Sequence, residues 1–281
     1  MKNDRICFYT PPYAYVKSYR TLIDCTAAHG LSYLEGFSHF ELARPDLNAA
    51  RAIKAYADEK HVRFSCFSVF SDLVGDRAAE TVEMLKGYAD VCAVLECPYL
   101  HHTIVPNCFD PDAVLPHYEE YYRQGIELVR QVYDYAEKRN VRTVYEDQGY
   151  IFNGVNGFGR FLKEVERDVG VVADFGNVYQ VGETAEAFTD AFRDRICHVH
   201  VKNVTIREQN DTGSGLKTLQ GKYMFAAALE DGDADCRKLI ADLQANGYSG
   251  CYSLEFSAQN DDPHEMTVRI EQLMNWITAK E

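Results

Sequence analysis

Residues 196–203, ICHVHVKN, alternate apolar and polar side chains with the period of a β-strand, and His198, His200 and Lys202 share one face. An edge strand with its polar face in water would show the same pattern, so the rest of the chain must decide what surrounds it. In a closed barrel of parallel strands the outward face packs beneath helices, and Cys197, Val199 and Val201 are apolar enough to sit there. His198, His200 and Lys202 would then point inward, with His200 and Lys202 near the carboxyl end of the strand.

Working outward, short apolar runs alternate with longer amphipathic ones. Residues 5–10, 31–37, 62–70, 98–105, 141–147, 169–177, 196–203 and 251–257 read as strands, and each is followed by a stretch with helical spacing. Gly30 stops the first helix, and Tyr121, Ile126, Val129, Val132 and Tyr133 form the core face of a long one over 115–140. Eight strand–helix units predict an α/β fold, a single (β/α)8 TIM barrel forming one domain over residues 1–281. The longest insertion, residues 203–233, follows the seventh strand. A doubly wound open sheet would allow the same alternation, but no G-x-G-x-x-G follows the first strand, where TPPYAY (residues 10–15) stands instead.

The composition narrows the function. Forty-three acidic against 29 basic side chains give a net charge of −14, which repels polyanions and argues against a nucleic-acid interface. No signal-like leader or membrane-length apolar run is present, and nine cysteines without a CxxC pair suit a reducing compartment. The expected setting is cytoplasmic, without membrane or nucleic-acid partners.

Active sites of this barrel form at the carboxyl ends of its strands. The last four strands each end in a ligand-type side chain: Glu146, Asp174, His200 and Glu255, with intervals of 28 and 26 residues between the first three. Three carboxylates gathered without a cation would repel one another and be driven to protonate, so a shared divalent metal is the economical reading. A strand-end carboxylate can also cap the helix that follows, an alternative open for Asp174 ahead of Gly176. His198 lies two residues deeper and reads as a packed or supporting histidine. Lys202 either stabilises a substrate oxyanion or neutralises neighbouring carboxylates. Aromatic residues in YIFNGVNGFG, residues 150–159, either cover the site or pack their own loop.

These residues resemble the sugar phosphate isomerase/epimerase superfamily, with its xylose-isomerase-like barrel, over nearly the whole chain. The likeness rests on GLSYLEGF (30–37), CPYLHH (97–102), HVHVKN (198–203) and LEDGDADCRKLIADLQANGYSGCYSLEF (229–256). The resemblance implies one metal held by Glu146, Asp174, His200 and Glu255, with Glu146 and Glu255 on opposite sides of a bound sugar also moving protons. It implies substrate contacts from the fourth strand, where His101 and His102 stand. The oxygen-rich set favours Mn2+, with Mg2+, Co2+, Zn2+ or Fe2+ also fitting.

The family's Asp-x-x-His reads Asp174-Phe175-Gly176-Asn177 here, so an amide stands where relatives place an imidazole, and Asn203 follows Lys202 in place of Asp. The first change weakens a multi-zinc nuclease reading of the kind AP endonucleases represent. Asn177 and Lys202 remain candidate substrate contacts. The expected activity is proton transfer through an enediolate on a small ketose, inosose or related polyol-ketone, as an isomerase or epimerase. A dehydratase acting on a keto-inositol is the alternative, with a phosphodiester hydrolase or a non-catalytic sugar-binding barrel behind it. A homo-oligomer is compatible with the sequence.

Overall fold

The computed structural model describes residues 5–9, 16–105, 110–255 and 263–278. Its centre is a closed barrel of parallel strands: β1 (Ile6–Tyr9), β2 (Tyr33–Phe37), β3 (Arg63–Val69), β4 (Tyr99–His102), β5 (Arg142–Glu146), β6 (Gly170–Asp174), β7 (Ile196–Val201) and, after an inserted sheet, β11 (Cys251–Glu255). Around the ring the order is β1-β11-β7-β6-β5-β4-β3-β2, so each strand pairs with its neighbour in chain order once the insertion is set aside. The fold is the (β/α)8 barrel that the strand–helix alternation predicts. The TPPYAY segment lies outside the described residues, as do residues 256 and 257 of the eighth expected strand.

The helices are α1 (Tyr19–Ala28), α2 (Leu47–Glu59), α3 (Ala78–Leu95), α4 (Pro111–Val114), α5 (Tyr118–Ala136), α6 (Gly154–Glu164), α7 (Ala185–Phe192), α8 (Cys236–Ala245) and α9 (Pro263–Thr278). Ser18, Asp46, Thr184 and Asp235 cap α1, α2, α7 and α8 by accepting backbone N–H groups of their first turns. Gly30 follows α1 with φ of 70°, a left-handed turn that favours glycine. On α5 the buried tyrosines are Tyr122 and Tyr133, whereas the expected Tyr121 is half-buried. Tyr122 stacks on Phe152, ring centroids 5.4 Å apart, which turns that face of the helix to the core. No helix among the described residues is long and apolar enough to cross a membrane.

Two apolar regions result. The larger lies between strands and helices; the smaller, Cys66, Val144 and Val172 with Tyr99 and Cys197 against them, fills the inside of the barrel. The position of Cys197 differs from the outward one expected. The β6–β7 register shifts between Val171, opposite Ile196, and Val172, opposite His198, so Cys197 is an extra residue in the ladder. Its thiol reaches Val171 O at 3.5 Å and packs inward. Gly170 makes room, since a Cβ there would lie 2.6 Å from Cys197 Sγ. Beyond the bulge the alternation directs His198 and His200 inward.

The insertion folds as a three-stranded antiparallel sheet, β8 (Asn203–Arg207), β9 (Leu216–Lys217) and β10 (Tyr223–Ala227), in the order β8-β10-β9. Asn203 closes it at its base. The side-chain amide donates to Leu229 O and Ala234 O, both at 2.8 Å, and its oxygen accepts from Val204 N at 2.9 Å and Ala234 N at 3.0 Å. Aspartate could not make the two donations, which explains why an amide suits this position.

Candidate metal centre and active site

Register brings the strand ends together. Asp174 pairs with His200 across β6 and β7, His200 with Ser253 across β7 and β11, and Tyr9 with Glu255 across β1 and β11. One ligand atom each from Glu146, Asp174, His200 and Glu255 lies within 4.8 Å of every other. His200 Nδ1 is the centre of the group, 3.1 Å from Glu146 Oε2, 3.2 Å from Glu255 Oε2 and 3.8 Å from Asp174 Oδ2. The Tyr9 ring lies on the imidazole, centroids 5.4 Å apart and 17° from parallel.

Each carboxylate has one oxygen held by the protein and one turned to the cluster. Gln148 Nε2 donates to Glu146 Oε1 at 2.5 Å, which leaves Oε2 for the His200 side. Asp174 Oδ1 accepts the backbone N–H groups of Gly176 and Asn177, both at 2.8 Å, while Oδ2 faces Lys202 and His200. Capping the next turn and facing the cluster are therefore done by different oxygens of Asp174. Lys202 Nζ stands 3.0 Å from Asp174 Oδ2 and 3.1 Å from Glu255 Oε1. Gly176 admits it: a Cβ there would come within 3.0 Å of Lys202 Cγ.

The donor chemistry fits a divalent cation. Three carboxylates and an imidazole converge with a single lysine beside them, and a dication would balance the remaining charge. Without it, protons and Lys202 take its part. Burial alone would lower the His200 pKa, but Glu35, Glu146 and Glu255 outweigh it and hold the ring well above the usual histidine range. Burial pushes Asp174 up to about 7 against the pull of Lys202, with Glu255 and Glu146 adding to the rise. Glu255 goes the other way: burial opposes ionisation, yet Lys202 and His200 keep its carboxyl far below the usual range.

The remaining expected contacts separate. His101 points inward, its Nε2 3.7 Å from Glu146 Oε1, and burial lowers its pKa. His102 does not join the site and leaves the set of expected substrate contacts. Adjacent strand residues face opposite ways, and the His102 ring bonds Thr103 O at 3.1 Å and Tyr145 Oη at 2.8 Å on the helix side. Burial pushes its pKa down to about 3, so it stays neutral there. Asn177 is buried, with no hydrogen-bond partner on Nδ2. Tyr150 and Phe152 are buried, and Tyr150 Oη donates to Lys217 O at 2.7 Å, so this loop packs against the inserted sheet.

Sequence reasoning missed Glu35. It is the middle residue of β2 and is fully buried on the far side of His200, with Oε1 3.0 Å from His200 Nε2 and Oε2 2.7 Å from His198 Nε2. Ser68 and Ser253 each donate to it at 2.5 Å. A signal was present, because Glu35 is a carboxylate within an otherwise apolar strand, two residues before its end.

No curated protein matches the sequence. Solved structures of the same fold include D-psicose 3-epimerase with D-tagatose from Clostridium cellulolyticum H10, at 16% identity and TM-score 0.73 over 97% of this chain and 98% of that one. They also include the probable 3-DHS dehydratase involved in petrobactin synthesis from Bacillus anthracis, at 13% identity and TM-score 0.74 over 99% and 100%. A third is a xylose isomerase-like TIM barrel protein from Mycobacterium smegmatis in complex with magnesium, at 14% identity and TM-score 0.71 over 92% and 88%. At such identities these likenesses establish fold alone. The family pattern goes further, matching residues 23–280: the chain belongs to the xylose isomerase-like TIM barrel family.

Proposed function

We propose that the protein is a metal-dependent isomerase or epimerase that moves a proton between carbons of a small ketose, inosose or related polyol-ketone through an enediolate. The observation that carries this reading is the placement of Glu146 and Glu255 on the same edge of His200, 3.1 and 3.2 Å from Nδ1, from strands separated by β6 and β7. A substrate held against that edge would have a carboxylate on either side. One divalent ion, Mn2+ by preference and Mg2+, Co2+, Zn2+ or Fe2+ on the same donors, would be held by Glu146, Asp174, His200 and Glu255 and supply an electrophile for adjacent substrate oxygens.

The chain's own groups do the rest. Glu255, 26% exposed while the other ligands are nearly sealed, is the carboxylate best placed to exchange a proton with substrate and solvent. Glu146, steadied by Gln148, is the second proton carrier. Lys202 stabilises negative charge developing on a substrate oxygen, and Asn177 Nδ2 is a second donor toward substrate. Return of the proton to the opposite face of the same carbon is epimerisation; return to the former carbonyl carbon is isomerisation. Departure of a β-hydroxyl instead makes a dehydratase on a keto-inositol the alternative, supported by the fold shared with the Bacillus dehydratase. The net charge of −14 supports a small-molecule substrate over nucleic acid, and the reading places the chain in the cytoplasm, as one domain and in monomeric or homo-oligomeric form.

The test is deuterium uptake. Mn2+-loaded protein is incubated in D2O with ketohexoses, inososes and hydroxypyruvate, and exchange of the C–H beside the carbonyl is followed by NMR. Exchange with a rearranged sugar supports the proposal, and a product that has lost water selects the dehydratase. A full panel without exchange overturns both.

A further inference from the structure

We propose that Glu35 is a positioning residue that sets which ring nitrogen carries the proton on three histidines, and so makes His101 Nε2 an acceptor for a substrate hydroxyl. The substrate half rests on the function proposed above; the proton pattern rests on geometry alone.

An ionised carboxylate has about four acceptor positions and no proton to give. Glu35 meets four donors: Ser68 Oγ at 2.5 Å and His200 Nε2 at 3.0 Å on Oε1, Ser253 Oγ at 2.5 Å and His198 Nε2 at 2.7 Å on Oε2. Every one of these contacts must be donated by the partner. His198 and His200 therefore carry hydrogen on Nε2, which leaves His200 Nδ1 as the nitrogen that faces Glu146, Asp174 and Glu255 and that gives up its own proton to present a lone pair when a metal is bound.

Ser68 passes the constraint on to His101. Its single hydroxyl proton is committed to Glu35, so the 2.9 Å contact between Ser68 Oγ and His101 Nδ1 is donated by the ring. His101 then carries its proton on Nδ1. Its Nε2 is buried, has no hydrogen-bond partner, and stands 3.7 Å from Glu146 Oε1, too far for a proton there to be shared with that carboxylate. A lone pair at this point attracts an O–H and repels the oxygens of a phosphate or carbonyl. The substrate class is a polyhydroxy ketone whose group facing His101 is a free hydroxyl, unesterified and unphosphorylated at that position.

Glu35, His198 and His200 also have ligand atoms within 4.8 Å of one another, as a second cation site would. The two serine protons already occupying both carboxylate oxygens argue against it.

The pattern is read from two-bond nitrogen–proton NMR correlations of the full chain, labelled with 15N-histidine and loaded with Zn2+. Expected are a proton on Nδ1 alone for His101 and on Nε2 alone for His198 and His200, with one Zn2+ per chain. A proton on His101 Nε2, or a second Zn2+ bound against Glu35, overturns the proposal. Ser68→Ala should release His101 to a mixture of tautomers and leave Zn2+ affinity within about threefold of the parent, since its hydroxyl touches no ligand of the cluster directly. Retention of sole Nδ1 protonation in that variant overturns the proposal. Glu35→Gln should weaken Zn2+ binding about 10- to 100-fold by dye competition, the usual effect of losing a group that orients a metal ligand. Undiminished binding overturns the role of Glu35, and if that variant does not fold, the parent and Ser68→Ala spectra still decide. For any ketose turned over, Ser68→Ala should raise KM about tenfold, the equivalent of one hydrogen bond, with a smaller loss in kcat. A loss confined to kcat overturns the substrate half. Absence of turnover counts against the proposed function and leaves the spectra decisive for the proton pattern.

Discussion

His200 meets carboxylates at both ring nitrogens, and its two edges are built differently. On the Nε2 side, Glu35 is sealed from solvent and matched oxygen for oxygen by two hydroxyls and two imidazoles. On the Nδ1 side, Glu146, Asp174 and Glu255 share one lysine and a few amide donors, and Glu255 is 26% exposed. One edge has as many protons as acceptors; the other is short of positive charge and opens toward the mouth. The difference teaches that a carboxylate's surroundings, more than its presence on a barrel strand, separate a structural anchor from a ligand.

The strongest way to break this contrast is to remove the exposed member of the open edge. Glu255→Gln should cut carbonyl-adjacent C–H exchange by about 10³-fold or more, as loss of a proton-transferring carboxylate does, while far-UV circular dichroism stays unchanged. Near-parental exchange would remove Glu255 from the proton-moving role. Lys202→Met removes the cation between Asp174 and Glu255 and should cost roughly 3 kcal/mol in urea unfolding with EDTA present. Saturating Mn2+ should restore most of that loss, and an equal loss with and without metal would mean that Lys202 serves packing alone.

Asn203→Asp probes a matched polar group away from His200. A carboxylate set against Leu229 O and Ala234 O, which need donors, should cost about 2 kcal/mol of stability and leave metal affinity unchanged. The smallest effect is that of pH. With Asp174 pushed up to about 7 when no metal is bound, its proton competes with the cation below that pH and is absent above it. Metal affinity, measured by calorimetry, should therefore gain from Asp174 up to about tenfold per pH unit on the approach to 7 and nothing beyond it, on top of the rise that displacing the His200 proton gives on both sides. A slope unchanged through 7 would show that Asp174 is ionised before metal arrives.

The barrel and the Nδ1 edge could be read from residue order because they follow from local periods. Strands alternate, helices recur, and each of the last four barrel strands delivers one ligand-type side chain at its end. The Nε2 edge could not be read that way. Ser68, His198 and Ser253 come from three strands and reach Glu35 over separations of 33, 163 and 218 residues, and a serine hydroxyl has no pattern that marks it as a partner. His101 and His102 are adjacent and alike, and only the phase of β4 tells which one faces inward. Cys197 escaped the alternation because an extra residue in a ladder leaves no mark in the pattern. The inserted sheet escaped because β9 is two residues long.

The Asn203 clamp carries an evolutionary consequence. Since one amide ties residue 204 to residues 229 and 234, the segment between them is a cassette whose two ends are stitched together where it leaves the scaffold. Its far turn, residues 210–215, is hydrogen-bonded within itself, so its length and composition can change while Glu146, Asp174, His200 and Glu255 stay in place.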